Sequence, residues 1–256
     1  MECFLNCSKN KERGMNSPVR PKIGILRIDY DYPPIPGDVD DESSFNFGVE
    51  YEIVKGLTFE KAQSGYINDE IRIALQIAVR KLERRNVVGL SGDCGFLMAY
   101  QKQVRQYTKL PVFMSSLLQT SIVESSIEDV DKIAILSANS KTLEPNLKNL
   151  LTECGIQVNI DKVYVIGCED VEGFDAVAKG EKVDSKKVTI GIEKLVKKKL
   201  IEYPTTKAFI MECTELPCYS DTIRFATGLP VFDAITLINL FYCSCTDNPN
   251  FGLNNW

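Results

Sequence analysis

A chain of 256 residues with 44% hydrophobic and 25% charged side chains can bury a core of ordinary size, as one large domain or two small ones. Its 30 basic and 35 acidic residues leave a net charge of −5 and nothing that suggests a basic groove, so no nucleic-acid partner is expected, and no apolar stretch reaches the roughly 18 residues of a membrane span. Zero histidines exclude Ser-His-Asp triads, Cys-His dyads and imidazole metal sites, which leaves Cys, Asp, Glu, Lys and Tyr to move protons.

Residues 1–20 are polar, mixed in charge and without an apolar core, which predicts a disordered tail and not a secretory signal. Ile23-Gly24-Ile25-Leu26-Arg27-Ile28 reads as a buried strand, and the Pro- and Gly-rich stretch 29–38 after it reads as an irregular loop. A short strand at 51–54 precedes a helix over 70–85, capped by Asn68-Asp69. Then come a strand at 87–91, a helix at 96–107, a strand at 112–114 and a helical stretch at 117–128. The second half repeats the alternation. A strand at 132–137 is followed by a helix at 141–154 that stops at Gly155, a strand at 163–166 and a short helix or turn at 174–180. A Lys-rich helix at 185–201, a strand at 207–212, a helix at 217–227, a strand at 231–232 and an apolar helix at 234–245 complete the chain. Lys197, Lys198 and Lys199 read as a solvated helix face, and with no Gly-rich phosphate loop no nucleotide cofactor is expected. Alternating strands and helices predict an α/β fold of two pseudo-symmetric lobes, each a mainly parallel sheet flanked by helices, spanning 21–130 and 131–256.

Two stretches show the repeat most clearly. Gly92-Asp93-Cys94-Gly95-Phe96 follows the apolar run Val87-Val88-Gly89-Leu90, and Glu212-Cys213-Thr214-Glu215-Leu216-Pro217 follows Ala208-Phe209-Ile210-Met211. Leu-Pro-Val-Phe recurs at 110–113 and 229–232, so that Pro111 and Pro230 each lie 17 residues past their cysteine. Ligands of such sheets bind at the carboxyl ends of the strands, which is where Cys94 and Cys213 fall, one per lobe. A thiol at a helix start has its pKa lowered toward neutrality, and two such thiols across one carbon form an acid–base pair. Nine cysteines, an odd number with no Cys-x-x-Cys pair, predict reduced thiols in an intracellular, cytoplasmic protein and no structural zinc. Cys154, Cys168, Cys243 and Cys245 are expected as small core hydrophobes, Cys218 likewise, and Cys3 and Cys7 as inert tail residues. Phe113 and Phe232 occupy matched positions and are expected in the core. Asp93 and Glu212, just before the cysteines, either orient neighbouring groups or simply end a strand.

With one cysteine in each of two α/β lobes, the chain resembles the aspartate/glutamate racemase superfamily, and Cys213-Thr214-Glu215 resembles its second-lobe motif. Ser137-Ala138-Asn139 sits where that superfamily places a hydroxyl and an amide. Arg27-Ile28-Asp29-Tyr30-Asp31-Tyr32-Pro33-Pro34, Gly92-Asp93-Cys94-Gly95-Phe96, Gly167-Cys168-Glu169-Asp170-Val171, Glu212-Cys213-Thr214-Glu215-Leu216-Pro217 and Pro230-Val231-Phe232-Asp233 are similar to the Alma-type dimethylsulfoniopropionate lyases of marine algae and corals, a similarity covering 21–256. It implies cofactor-independent cleavage of that zwitterionic carboxylate to dimethyl sulfide and acrylate, with Cys213 as base and Cys94 its partner facing the substrate. Candidates for gripping the carboxylate are Thr214, Ser137, Asn139 and backbone N–H groups after either cysteine, with Asn139 also a helix cap. Tyr30, Tyr32 and Trp256 could offer aromatic faces to the sulfonium, although Tyr32 reads better as packing its loop. The resemblance further implies a homo-oligomer, dimer or tetramer, with the apolar last helix as a candidate interface, and a chain that continues beyond Trp256. The alternative activity is racemisation or epimerisation of an amino acid by the two cysteines.

Overall fold

The computed structural model describes residues 20–246. The expected tail, save its last residue, lies outside that range, as do Cys3, Cys7 and Trp256. Each half begins with a central strand whose side chains alternate between two covered faces. In β1 (Lys22–Arg27), Ile23 and Ile25 face one way and Gly24 and Leu26 the other. In β5 (Lys132–Ser137), Ile133 and Ile135 oppose Ala134 and Leu136 in the same manner. Burial on both faces is what lets these strands be apolar throughout and pair in parallel.

The first sheet adds β2 (Val49–Ile53), β3 (Val87–Gly92) and β4 (Val112–Phe113), in the order β2-β1-β3-β4. The second adds β6 (Val163–Gly167), β7 (Thr206–Met211) and β8 (Val231–Phe232), in the order β6-β5-β7-β8. All neighbours are parallel. The sequence repeat is a repeat of register. Leu90 pairs with Val112 and Phe209 with Val231, each displaced by the same 119 positions that separate Cys94 from Cys213 (90 to 209, 112 to 231, 94 to 213). Even the irregularity recurs, between Lys22 and Ile23 in one sheet and between Lys132 and Ile133 in the other.

A short helix, α1 (Phe59–Ser64), and a longer one, α2 (Asp69–Arg84), link β2 to β3. Asn68 caps α2 through the Ile71 N–H at 2.9 Å, and Ile71, Leu75, Ala78, Val79 and Leu82 form its buried stripe. The expected helix at 96–107 is a 3-10 turn (Gly95–Tyr100) followed by α3 (Gln101–Tyr107), and that at 117–128 is a 3-10 turn (Ser116–Gln119) followed by α4 (Thr120–Glu124). In the second half, α5 (Ser140–Glu153) and α6 (Ser185–Glu202) precede β6 and β7. A 3-10 turn (Leu216–Tyr219) and α7 (Ser220–Thr227) lead to β8, and α8 (Ala234–Ser244) closes the described chain. No helix among the described residues is long and apolar enough to cross a membrane.

The two halves exchange their last helical segments. The turn after β4 lies on β7, where the Ser116 hydroxyl donates to the Met211 carbonyl at 2.5 Å, and Leu117 and Val123 join the apolar cluster of Ile133, Ile135, Ala208 and Ile210. Reciprocally, α8 lies on β1, placing Ala234 and Ile238 against Ile23, Ile25 and Val49. The Gln119 amide donates to the Asp233 carbonyl at 2.9 Å where the exchanged segments meet. Most of the apolar side of α8, the candidate interface, is therefore used within the chain, and Leu240 is left 55% exposed. Cys243 and Cys245 are exposed and do not pack as core residues, because they follow that buried side at the helix end. The seven cysteines among the described residues are all free. Lys197 and Lys199 pair with Glu193 and Glu202 on the solvated face of α6.

The seat of α8 depends on Gly89. A Cβ there would come within 2.2 Å of the Phe241 ring, which also packs on Phe113 at 4.7 Å between centroids. Gly89→Ala should lower stability by about 1–3 kcal/mol, the usual cost of forcing an extra methyl group into a packed core. The pair Gly89→Ala/Phe241→Leu should recover part of it, as read by urea unfolding.

Candidate active site

In both sheets the chain leaves one central strand for an outer neighbour and returns on the opposite side, and the carboxyl ends of β1 and β3 and of β5 and β7 are where open sheets of this order form a binding crevice. Cys94 lies past β3 and Cys213 past β7, 8% and 5% exposed. Each turns at once: the Leu97 N–H donates to the Cys94 carbonyl at 2.9 Å and the Leu216 N–H to that of Cys213 at 3.4 Å. The two cysteine loops touch. The Thr214 hydroxyl donates to the Asp93 carbonyl, and the Val39 N–H to the Thr214 carbonyl at 3.2 Å. A side chain at Gly95 would lie 2.1 Å from the Glu212 carbonyl oxygen and 2.2 Å from its Oε1, so the first loop seats against Glu212 only because residue 95 has none.

The acids before the cysteines do both things the sequence allowed. They end their strands, the Asp93 N–H donating to the Leu26 carbonyl at 3.1 Å and the Glu212 N–H to that of Leu136 at 2.7 Å. Their carboxyls also point inward. Asp93 accepts the Ile28 N–H on both oxygens at 3.1 Å, with Arg27 Nε 3.7 Å away. Burial raises its pKa and nearby Asp40 adds to the rise, against the pull of the Ile28 N–H and Arg27. Glu212 accepts the Ser137 hydroxyl on Oε2 at 2.8 Å, while its buried Oε1 has no partner. Burial pushes Glu212 up to about 8, and the charge of Glu215 acts in the same direction.

Both thiols are raised, not lowered. For Cys94 the causes are burial, then Glu212, Glu215 and Asp93; for Cys213 they are burial, then Glu215 and Glu212. One backbone N–H opposes the rise at each sulfur, that of Phe96 at Cys94 and that of Glu215 at Cys213. The expected depression fails because a short 3-10 turn, not a long α-helix, follows each cysteine, and because three acids, Asp93, Glu212 and Glu215, lie close by.

Each of the other candidates donates a hydrogen bond within the protein. Ser137 donates to Glu212 and accepts the Asn139 N–H at 3.2 Å. Asn139 caps α5 through the Thr142 N–H at 3.1 Å and gives its amide to Gln63 of the first half at 3.0 Å. Thr214 joins the two loops as described. The Tyr30 hydroxyl donates to the Val177 carbonyl at 2.8 Å, and its ring stacks on Tyr32 with centroids 6.1 Å apart. Tyr32 is buried in its loop and donates to Asp38 at 2.7 Å. Cys218 donates to the Glu215 carbonyl at 2.9 Å and packs on Gly37.

Sequence reasoning passed over three features. Glu169 fills the N-terminus of α5, accepting the Ser140 N–H and hydroxyl at 2.5 and 2.6 Å and the Lys141 N–H at 3.3 Å, and it fits because Gly167 has no Cβ. Asp38 and Asp40, from the loop after β1, form a second acidic layer. Burial and Glu215 push Asp38 up to about 8, and Asp40 pairs with Arg27 at 2.9 Å. Glu215 itself accepts the Cys213 thiol hydrogen. Glu215, two residues past its cysteine, and Glu169, one past Cys168, each stood in a stretch that carries the family resemblance.

Among solved structures, the chain is similar to allantoin racemase from Klebsiella pneumoniae (TM-score 0.56, 11% identity, 88% of this chain and 86% of that one). It is also similar to the Picrophilus torridus aspartate racemase (TM-score 0.55, 14% identity, 88% and 94%). These place the fold in the two-lobed aspartate racemase-like class. No family model matches the chain. Among curated proteins it is 46% identical over 235 residues to dimethylsulfoniopropionate lyase of Durusdinium sp. clade D, covering 91% of this chain and 78% of that one. It is 44% identical over 240 residues to dimethylsulfoniopropionate lyase 7 of Emiliania huxleyi, covering 92% and 70%. It is 43% identical over 240 residues to dimethylsulfoniopropionate lyase 3 of the same alga, of which it spans 63%. The chain belongs to the dimethylsulfoniopropionate lyase family.

The raised acids tie stability to pH with a definite sign. Folded Glu212 keeps its proton up to about 8, whereas the unfolded chain releases it near the ordinary 4.5. Its stabilising share is complete below about 4.5 and is lost as pH rises through about 8, at roughly 1 kcal/mol per pH unit. Glu212→Gln should therefore gain on the wild type in melting temperature between pH 5 and 8.5, and parallel curves would contradict the assignment.

Proposed function

We propose that this chain cleaves dimethylsulfoniopropionate to dimethyl sulfide and acrylate by thiolate abstraction of the α-proton and β-elimination, without a cofactor. The observation that carries this reading is two nearly enclosed thiols, set at equivalent strand ends and joined through Thr214 and Asp93, in a chain of the lyase family. The α-proton of a carboxylate is a very weak acid and needs a strong base. A thiol raised by burial is protonated at rest, and the thiolate formed from it is more basic than one depressed toward neutrality. Charge that develops on the substrate carboxylate is met by backbone N–H groups of the cysteine loops and by the neutral acid of Glu212. The sulfonium carries a fixed positive charge, which favours the ionised form of the crevice acids against the burial that keeps them protonated. Once the C–S bond breaks, that charge is gone and dimethyl sulfide leaves as a neutral molecule.

Cys213 serves as base, and Cys94 faces it across the substrate. Cys213→Ala should lower dimethyl sulfide release at least about 100-fold, the lower end of what a positioned base contributes. Cys94→Ala should lower it less. Headspace measurement decides this, and wild-type protein that releases no more than Cys213→Ala overturns the reading. The equivalence of the two thiols also favours a second reading, racemisation or epimerisation of an amino acid. Its signature is deuterium wash-in at Cα of aspartate or glutamate in heavy water.

A further inference from the structure

Elimination and racemisation differ in proton balance. A racemase returns a proton to the carbon that lost one. Loss of dimethyl sulfide from a sulfonium leaves an alkene, so the abstracted proton is a net product and must leave the base before the next turnover. Cys213, 5% exposed, has little direct path to water. Its S–H donates to Glu215 Oε2, and the Glu215 N–H is directed at the same sulfur. Glu215 is partly exposed, in contrast to Glu212, which is 1% exposed and holds the Ser137 hydroxyl. The repeat sharpens the point. Displaced by 119 positions, Glu215 corresponds to Phe96, buried beside Cys94. The two cysteines are equivalent in backbone but not in chemistry, because only Cys213 has a proton acceptor two residues along.

We propose that Glu215 is the proton acceptor of Cys213, taking the thiol hydrogen to create the base and releasing one proton to solvent per turnover. This rests on the lyase reading above. The cycle starts from a thiol and a carboxylate, an anion that burial and nearby Asp40 disfavour and that the hydrogen bond from the Cys213 thiol supports. The thiol proton moves to Glu215 Oε2 and leaves a thiolate, which takes the α-proton of the substrate. The electrons of that C–H bond become the carbon–carbon double bond, and those of the C–S bond depart with dimethyl sulfide. Cys213 is again a thiol, Glu215 a neutral acid, and loss of the acid's proton through its exposed edge restores the resting pair. The sum is substrate to acrylate, dimethyl sulfide and one proton. Glu215 acts through Cys213, and Cys94, beside Phe96, is excluded from the same role.

The test sets turnover against thiol reactivity in the full-length chain. Glu215→Gln is close in shape but carries no charge and accepts no proton. It removes the anion that raises Cys213, so iodoacetamide should alkylate Cys213 faster at pH 7, about tenfold for each unit the thiol pKa falls. Steady-state acrylate release should nevertheless fall about 100-fold or more, and Glu215→Asp should recover part of it. Peptide mapping separates Cys213 from the other thiols. Faster alkylation of Cys213 with slower turnover supports the relay when buried Cys168 stays as protected as in the wild type; alkylation of Cys168 as well marks loss of structure, assigns Glu215 a structural role and overturns the relay. Turnover within a few-fold of wild type, or alkylation that is unchanged or slower, overturns it. If wild-type protein releases no acrylate, the lyase reading fails by itself, and the alkylation arm still decides whether Glu215 controls Cys213.

Discussion

The contact between residue 95 and Glu212 holds the rest of the site in place. The backbone after Cys94 lies so close to the second half that any side chain there would overlap the Glu212 carbonyl and carboxyl. That approach brings the cysteine loops into contact, lets Thr214 reach Asp93, and seals acids from both halves into one crevice. Their raised pKa values follow from this enclosure. Charge placed in a medium of low polarity beside like charge is costly, and Glu212 and the two thiols respond to burial and to Glu215 by keeping their protons. Stability and chemistry therefore draw on one feature, a crevice that disfavours anions at rest and receives a substrate bearing a cation.

The architecture could be read from the sequence because its signals were local. Ile-Gly-Ile-Leu at 23–26 and Ile-Ala-Ile-Leu at 133–136 are continuous apolar runs, which parallel strands covered on both faces require. The spacing of each cysteine from its Leu-Pro-Val-Phe segment became a shared strand register. Asn68 announced α2 through the ordinary chemistry of a cap. The site was legible only in its backbone positions. Ser137, Asn139, Thr214 and Tyr30 give hydrogens to Glu212, Gln63, Asp93 and Val177, partners far off in the chain that no local pattern reveals.

The direction of the thiol pKa was lost for the same reason. A cysteine at a strand end before a helical segment suggests a depressed value when the neighbours are unknown. Here one N–H at each sulfur is outweighed by burial and by acids, Glu212 and Glu215 at both sulfurs, which reach Cys94 from the opposite half. Glu169 shows the converse: a helix start that looks open to an external anion holds an internal one, supplied by a loop 29 residues further along.

The exchange of end segments has a consequence for how the molecule is held together and for its ancestry. Without the turn after β4 the second sheet loses cover, and without α8 the first does. Separated at 125–131, neither half would possess a complete core, so both should melt in one cooperative transition. The arrangement is that of two identical single-sheet subunits which traded their terminal helices and were then joined end to end, a domain-swapped dimer written into one chain. After such a fusion the two copies of the site are free to diverge, and glutamate opposite phenylalanine beside the paired thiols is where that divergence meets the chemistry.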